Sequence, residues 1–180
     1  LDNHYTNSIN SKGLIYMIRD PRDVVISYAN HLNKSIDQTI NIIQSINALT
    51  YSGDSNYPGI LSTWEYHVSS WINLPVPKII IKYEDLINNT ENKILELIFF
   101  LEKKINFEIK NKKIVKKIIK NTSFEKMKKK EIKEGFPEAS SSSNFFRSGK
   151  EKQWKKILTP AQSEVIVNGA EKIMKKFNYL

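Results

Sequence analysis

The sequence lacks cysteine, and it contains only three histidines and no long apolar run. Without cysteine there is no disulfide framework, no thiolate metal site and no cysteine nucleophile. The longest apolar runs, residues 79–81 and 97–101, are much shorter than the roughly eighteen residues that cross a bilayer. The first residues, which start with leucine, show no basic-then-apolar signal pattern. We therefore expect no membrane span and a chain that is a piece of a longer protein.

Positive charge is concentrated in the second half of the chain. The net charge is +9, with 6 basic and 8 acidic residues in positions 1–90 but 22 basic and 11 acidic residues in positions 91–180. A field of this sign favours anionic partners, from phosphorylated small molecules to nucleic acid. The alternative is that most of the lysines are compositional and lie on solvated faces. The three arginines, Arg19, Arg22 and Arg147, are more informative, because the guanidinium group binds phosphate bidentately.

The composition suits one packed domain, since 40% of the 180 residues are apolar and 11% are aromatic. An apolar run at residues 13–18 predicts a strand, and Asp20 followed by Pro21 predicts the start of a helix directly after it. A second strand is predicted at residues 78–83, where three consecutive isoleucines indicate burial on both faces. Two strands separated by helices predict a βαβ unit with a parallel sheet.

Further helices are predicted from apolar residues spaced three and four positions apart. Four of them cover residues 36–49, 61–72, 92–104 and 111–120. Another is predicted to start at residues 122–123, and the last to extend from residue 160 to about residue 177. Residues 51–58 and 128–143 lack this spacing and are predicted to be loops, the second of them long and mobile.

A candidate site lies where the two predicted strands end. In open parallel α/β sheets, ligands bind beyond the carboxyl ends of the strands, and Arg19 and Tyr83 occupy that position. A phosphate placed there could be held by Arg19, by the backbone N–H groups of the following helix and by Ser27, about two turns along it. The alternative is structural: Arg19 could pair with Asp20 or Glu84, and Ser27 could donate within its own helix.

A second candidate segment follows the long predicted loop. Residues 144–150 combine two phenylalanines with Arg147 and Gly149, which is typical of a lid that closes over an anion and a flat ring. The alternative is a loop that only buries its two phenylalanines. Residues 148–150 imitate the end of a Walker-type phosphate loop, but Asn144 stands where the first glycine is required. A Walker-type loop is therefore excluded here.

Four segments, in the same order, resemble those of sulfotransferases that use 3′-phosphoadenosine 5′-phosphosulfate as donor. They are residues 16–28, residues 81–86, residues 122–128, and residues 145–149 followed by Trp154 and Lys155. The resemblance implies that Arg19, Ser27, Tyr83, Thr122, Phe124, Phe146, Arg147, Ser148 and Gly149 bind the donor. Its 3′-phosphate would be held by Arg19, Ser27, Arg147 and the backbone N–H of Gly149. The adenosine would be framed by the aromatic residues Tyr83 and Phe124. Ser148 stands where the family commonly has lysine.

The resemblance extends from about residue 15 to residue 177, the C-terminal two-thirds of such a protein. It implies a P-loop-NTPase-like three-layer α/β fold with a parallel sheet, which is incomplete because the N-terminal strand and phosphosulfate loop are absent. We expect a single domain over residues 1–180, with a flexible lid loop at 128–149. It further implies a cytoplasmic protein that needs no metal.

By the same resemblance, the whole protein transfers a sulfuryl group to a hydroxyl or amine of a small-molecule acceptor. We assign no catalytic residue in this chain. His4 lacks the lysine that usually precedes the catalytic histidine by two positions, and His31 and His67 fall in predicted helices as surface or packing residues. We therefore expect the isolated chain to be inactive. The segment Lys155 to Glu164 resembles a dimerisation segment, although Pro160 stands where valine is usual.

Two other functions are compatible with parts of the sequence. A nucleic-acid-binding module would use the lysines of residues 110–120 and 126–133, but no aromatic platform alternates with them, and we expect no nucleic-acid partner. A fragment of another P-loop phosphotransferase would need a Gly-rich loop that these residues lack. The acceptor depends on the loops at 51–58 and 128–143, and the sequence does not identify it.

Overall fold

A computed structural model describes residue 9 and residues 11–50, 59–108, 114–137, 139 and 143–180. His4, the loop at 51–58 and the predicted helix start at 111–113 lie outside these residues. The described residues fall into two compact units. The first lies within Leu1–Arg19, Ile72–Ala139 and Asn144–Gly149, and the second lies within Asp20–Trp71, Ser140–Ser143 and Lys150–Leu180.

The first unit contains the predicted parallel strand pair. Strand β1 (Leu14–Ile18) pairs with β4 (Lys78–Lys82) in parallel, so that Leu14 lies opposite Lys78 and Ile18 lies opposite Lys82. This confirms the parallel sheet. The expectation that three isoleucines of β4 are buried on both faces is correct only for Ile81, because Ile79 and Ile80 are half-buried. Within the described residues this sheet has two strands, so neither strand lies between two neighbours.

Among its described residues, the first unit also contains α4 (Tyr83–Asn88), α5 (Thr90–Lys104), α6 (Ile114–Asn121) and α7 (Phe124–Glu134). Helix α5 has 15 residues and buries Ile98 and Phe100. In the part of the chain that the structure describes, no helix combines the length and apolar character needed to cross a bilayer.

Helix α7 corrects the predicted start of the lid loop. We expected the loop from Lys128, but the helix continues to Glu134. Lysine and glutamate have high helix propensity, and they form most of this stretch. The helix ends at Gly135, whose φ of 77° is a conformation that glycine adopts at little cost. The high charge of this stretch is thus compatible with a solvated helix.

The second unit begins with the predicted helix start. Asp20 caps α1 (Pro21–Leu32) by accepting a hydrogen bond from the backbone N–H of Arg22 at 2.9 Å, and Pro21 is its first residue. Helix α2 (Ile36–Ile43) begins with a capping box formed by Ser35 and Gln38. The predicted starts of α1 and α2 are therefore confirmed. Both are determined by hydrogen bonds of nearby side chains.

Two predicted helix ends in the second unit are wrong. Helix α2 ends at Ile43 instead of residue 49, because the chain turns into β2 (Leu49–Thr50), which pairs antiparallel with β3 (Gly59–Ile60). The predicted last helix is divided into α9 (Pro160–Asn168) and α10 (Glu171–Lys176). The side-chain amide of Gln44 packs against Gly169 at this break, with its Nε2 atom 2.6 Å from the position that a Cβ atom would take.

The core of the second unit joins helices from distant parts of the chain. It contains the buried residues Val25, Ile40 and Ile166, against which Ile36, Ile43 and Leu158 pack. The second unit also contains α8 (Trp154–Ile157) and, up to Trp71, α3 (Trp64–Ile72). Helix α3 agrees with the predicted helix before Pro75, whereas α8 was not predicted.

Candidate functional site

Arg19 and Tyr83 meet at the carboxyl end of the parallel strand pair. Each follows directly on one of the paired residues Ile18 and Lys82. The guanidinium carbon of Arg19 lies 4.3 Å from the ring centroid of Tyr83, which is a close cation–π contact. The sheet register thus joins two residues that are 64 positions apart in the sequence. Both occupy the edge of the sheet where α/β proteins bind their ligands.

A second group in the same unit consists of four phenylalanine rings. The ring of Phe146 is in edge contact with those of Phe124, Phe136 and Phe145, at centroid distances of 6.0, 5.2 and 5.2 Å. Phe136 and Phe145 are also in contact, at 4.8 Å. The lid segment, residues 144–149, therefore packs through its aromatic residues on Phe124 of helix α7 and on Phe136, which follows that helix. Phe145 nevertheless keeps 48% of its surface exposed, so this contact leaves an apolar face at the surface.

Gly149 lies directly against one of these rings. Its φ is 63°, and a Cβ atom at this position would lie 2.7 Å from two ring carbons of Phe124. Both the backbone conformation and the close approach favour glycine here. Gly149 and Phe124, which the sequence resemblance groups at one ligand, are therefore neighbours.

We expect Gly149→Ala to destabilise the protein by about 2–3 kcal/mol, because a new methyl group collides with the Phe124 ring and the positive φ adds backbone strain. The free energy of unfolding from urea titration measures this effect. The matched control is Gly149→Ala in a Phe124→Ala background, where the methyl group has space and only about 1 kcal/mol of backbone cost should remain. Equal costs in the two backgrounds would contradict the close contact.

The other residues that the resemblance assigns to the sulfuryl donor differ in exposure and in the unit to which they belong. Thr122 is exposed, and its hydroxyl donates to the carbonyl of Ile118 at 2.9 Å. Ser148 and Arg147 are half-buried in the lid segment of the first unit. Ser27 is exposed on α1, in the second unit.

Arg22 has a structural environment in the second unit. Its guanidinium donates to both carboxylate oxygens of Asp20 at 2.7–3.2 Å and to the carbonyl of Tyr179 at 2.7 Å. It also lies 3.7 Å from the ring centroid of Trp154. The backbone N–H of Trp154 donates to the buried carboxylate of Asp23 at 3.0 Å. These contacts fasten the last residues of the chain and the start of α8 to the start of α1.

The two described histidines make packing contacts. His31 stacks on the ring of Tyr28 with a centroid distance of 6.2 Å. Nε2 of His67 accepts a hydrogen bond from the indole N–H of Trp71 at 3.3 Å, and partial burial lowers the pKa of His67. These surroundings are compatible with the surface or packing roles predicted for both residues, His31 being exposed and His67 half-buried. Among the described residues, no group of three or more histidines and carboxylates is placed to hold a metal ion.

Comparison with known proteins assigns the chain to a family. The family model described as the sulfotransferase domain matches residues 7–178, which is nearly the whole chain. The chain belongs to the sulfotransferase domain family. The family resemblance predicted from the four sequence segments is thereby confirmed.

Relatives in plants and mammals show the same assignment. Cytosolic sulfotransferase 15 of Arabidopsis thaliana is 27% identical over 159 residues, which cover 84% of this chain and 43% of that protein. Sulfotransferase 1B1 of Canis lupus familiaris is 29% identical over 163 residues, covering 86% of this chain and 52% of that protein. The chain thus spans about half the length of the sulfotransferases it matches.

Solved structures share the fold. The mouse sulfotransferase SULT7A1 complexed with PAP superposes with a TM-score of 0.63 at 22% identity, over 89% of this chain and 57% of that one. Retinol dehydratase in complex with androsterone and inactive cofactor PAP gives the same TM-score at 19% identity, over 89% of this chain and 47% of that one. The α/β fold expected from the resemblance is therefore confirmed.

Proposed function

We propose that this chain carries the nucleotide half of a sulfotransferase active site. It would bind the adenosine 3′,5′-bisphosphate part of 3′-phosphoadenosine 5′-phosphosulfate, the sulfuryl donor. The observation that carries the proposal is the Arg19 guanidinium held on the Tyr83 ring at the carboxyl edge of the strands, in a chain of this family. The relatives are named as sulfotransferases, and both solved structures contain PAP, which is adenosine 3′,5′-bisphosphate.

The residues have the chemistry that this nucleotide requires. Arg19 and Arg147 would neutralise the 3′-phosphate, since a guanidinium group donates two parallel hydrogen bonds to phosphate oxygens. The backbone N–H of Gly149 would supply a further donor to the same group. The hydroxyl of Ser27 is assigned to this phosphate by the sequence resemblance alone. The neutral hydroxyl of Ser148 replaces a cation that the family commonly has, so a larger share of the charge falls on the arginines.

The adenosine would lie among aromatic side chains. Phe124 and Phe146 are half-buried and in edge contact, and each can present ring surface to a flat base. Tyr83 would border the ribose and base, and the exposed hydroxyl of Thr122 can still accept a hydrogen bond. Because Tyr83 contacts Arg19, the phosphate and adenosine ends of the site would be linked through a single pair of side chains.

The whole protein would transfer the sulfuryl group to a hydroxyl or amine of a small-molecule acceptor. The donor supplies an activated sulfuryl group with a good leaving group when it is bound. The residues of this chain would act far from that group: they would bind the nucleotide, orient it and neutralise its charge. Positioning and charge stabilisation are also the main contributions of the protein to catalysis of phosphoryl transfer. We expect the 180-residue chain to bind the nucleotide without turning over the donor.

Nucleotide titration tests the proposal. We expect the protein to bind adenosine 3′,5′-bisphosphate with one-to-one stoichiometry, and adenosine 5′-monophosphate at least roughly tenfold more weakly, because the 3′-phosphate supplies charge-assisted hydrogen bonds. Isothermal titration calorimetry measures both affinities. A labelled oligonucleotide is the comparison ligand, and its binding should disappear between 50 and 200 mM salt, as roughly expected for nonspecific contacts. Equal affinity for the two nucleotides would contradict a 3′-phosphate site.

Assembly and location belong to the same proposal. The segment Lys155 to Glu164 is mostly exposed and includes the capping box of Thr159 and Gln162 at the start of α9. We propose that it mediates a homodimer, which sedimentation velocity can detect. A cytoplasmic location is supported by the names of the Arabidopsis relatives, which are cytosolic sulfotransferases.

A further inference from the structure

A buried carboxylate holds the backbone of the lid segment. Glu131 lies in the last turns of α7 and is only 6% exposed. One of its carboxylate oxygens accepts a hydrogen bond from the backbone N–H of Phe145 at 2.5 Å, and the other accepts from the N–H of Phe146 at 2.9 Å. A single side chain therefore binds two consecutive peptide groups directly before Arg147.

Two more contacts continue this attachment to Arg147 itself. The backbone N–H of Arg147 donates to the carbonyl of Phe145 at 3.0 Å, which forms a tight turn. Nζ of Lys128, one helical turn before Glu131, lies 3.5 Å from the carbonyl oxygen of Arg147. The turn thus fixes the peptide group before the Arg147 Cα atom, and Lys128 of α7 contacts the peptide group after it. The direction in which its side chain leaves the backbone follows from these peptide orientations.

Packing alone does not explain this arrangement. The aromatic rings of the lid already lie on Phe124 and Phe136, and an apolar side chain at position 131 would add to that contact. Burying a carboxylate is costly unless hydrogen bonds compensate it. Hydrogen bonds are directional, whereas apolar contacts are not, so the carboxylate specifies the orientation of the peptides in addition to their position.

We infer that Glu131 is a positioning residue for the nucleotide site: it orients the backbone at residues 145–147 so that Arg147 faces the 3′-phosphate. This inference rests on the proposed function, because it assumes that Arg147 binds that phosphate. It adds a residue that contacts no ligand and acts only through the lid backbone.

The test is Glu131→Gln, with Glu134→Gln as the matched control. Glutamine keeps the size of the side chain, but its NH₂ group cannot accept a hydrogen bond, so one of the two peptide N–H groups loses its partner. Glu134 lies on the same helix and is exposed, with Lys130 at 3.9 Å, so its replacement removes the same charge at the surface. The affinities for adenosine 3′,5′-bisphosphate and adenosine 5′-monophosphate are measured for each variant.

We expect Glu131→Gln to lower the affinity for the bisphosphate roughly tenfold and to leave the affinity for the monophosphate unchanged, because only the former has the 3′-phosphate. Hydrogen exchange of the Phe145 and Phe146 amides, followed by NMR, should accelerate in this variant and not in Glu134→Gln. Lys128→Met is a second variant with an intact Glu131, and it should lower the bisphosphate affinity about threefold.

The outcomes separate this inference from the proposed function. An equal loss of affinity for both nucleotides, or unchanged exchange of the two amides, would overturn the positioning role while the nucleotide site stands. A wild-type protein that does not distinguish the two nucleotides would overturn both, and accelerated amide exchange would then locate the error in the proposed ligand. If Glu131→Gln does not fold, an unchanged discrimination in Lys128→Met decides against the inference.

Discussion

Replacing Arg19 with alanine is expected to weaken binding of adenosine 3′,5′-bisphosphate by roughly 100-fold, or about 2.7 kcal/mol. The guanidinium group lies at the carboxyl edge of the strands, and the Tyr83 ring at 4.3 Å restricts its position before any ligand arrives. A preorganised guanidinium loses little conformational entropy on binding, so its removal costs nearly the full charge-assisted interaction. Calorimetric titration of the variant measures the loss.

Two variants distinguish this effect from a general loss of positive charge. Arg19→Lys keeps the charge but not the planar pair of donors, and we expect it to recover only part of the affinity. Lys12→Ala removes one positive charge from an exposed residue just before β1, at the opposite end of that strand, and should change the affinity less than twofold. Similar losses of nucleotide affinity in Arg19→Ala and Lys12→Ala would show that binding depends only on the net positive charge of the protein.

Arg22→Ala is expected to reduce the free energy of unfolding by about 3–5 kcal/mol. The Arg22 side chain is 8% exposed and its Asp20 partner 9%, so the substitution leaves a buried carboxylate without its guanidinium. It also removes the hydrogen bond to the carbonyl of Tyr179 and the contact with the Trp154 ring. The loss therefore combines a broken buried ion pair with a cavity beside an aromatic ring. Urea titration followed by circular dichroism measures it.

The control for this prediction is Lys175→Ala, which removes the exposed ion pair with Glu171 from the same unit. Exposed pairs of this kind stabilise by about 0.5 kcal/mol or less, so this variant should unfold almost as the wild type does. Arg22→Met keeps the apolar contact with Trp154 and should fall between the two. A loss below about 1 kcal/mol for Arg22→Ala would contradict the buried network.

Arg19 and Arg22 flank the same Asp-Pro turn, and the sequence resemblance assigned only Arg19 to the ligand. Helix-capping rules predicted the turn correctly, since the Asp20 cap depends on residues two positions apart. They did not predict the partners of Arg22, which are Trp154 and Tyr179, more than 130 positions away. Long-range partners of this kind are invisible to local patterns, so the structural role of Arg22 emerged only from the fold.

Glu131 shows the same limit on the functional side. It fell in a segment predicted as a loop, because charged residues without an apolar spacing give no helical signal. The available signal was helix propensity, which lysine and glutamate both have. Its carboxylate points to the lid only because α7 continues to Glu134 and the lid packs back on it. Identifying this residue therefore required both the length of α7 and the packing of the lid segment against that helix.

Local chemistry alone determined the two parallel strands, the starts of α1, α2 and α9, and the family, because caps, apolar runs and short motifs act within a few residues. The tertiary structure decided where α2 ends, where the last helix is divided, and which distant residues contact Arg19 and Arg22. These outcomes depend on contacts such as Gly169 against Gln44 and Arg19 against Tyr83, whose partners are far apart along the chain. A packed core selects such contacts by shape and hydrogen bonding, and no local sequence pattern contains that information.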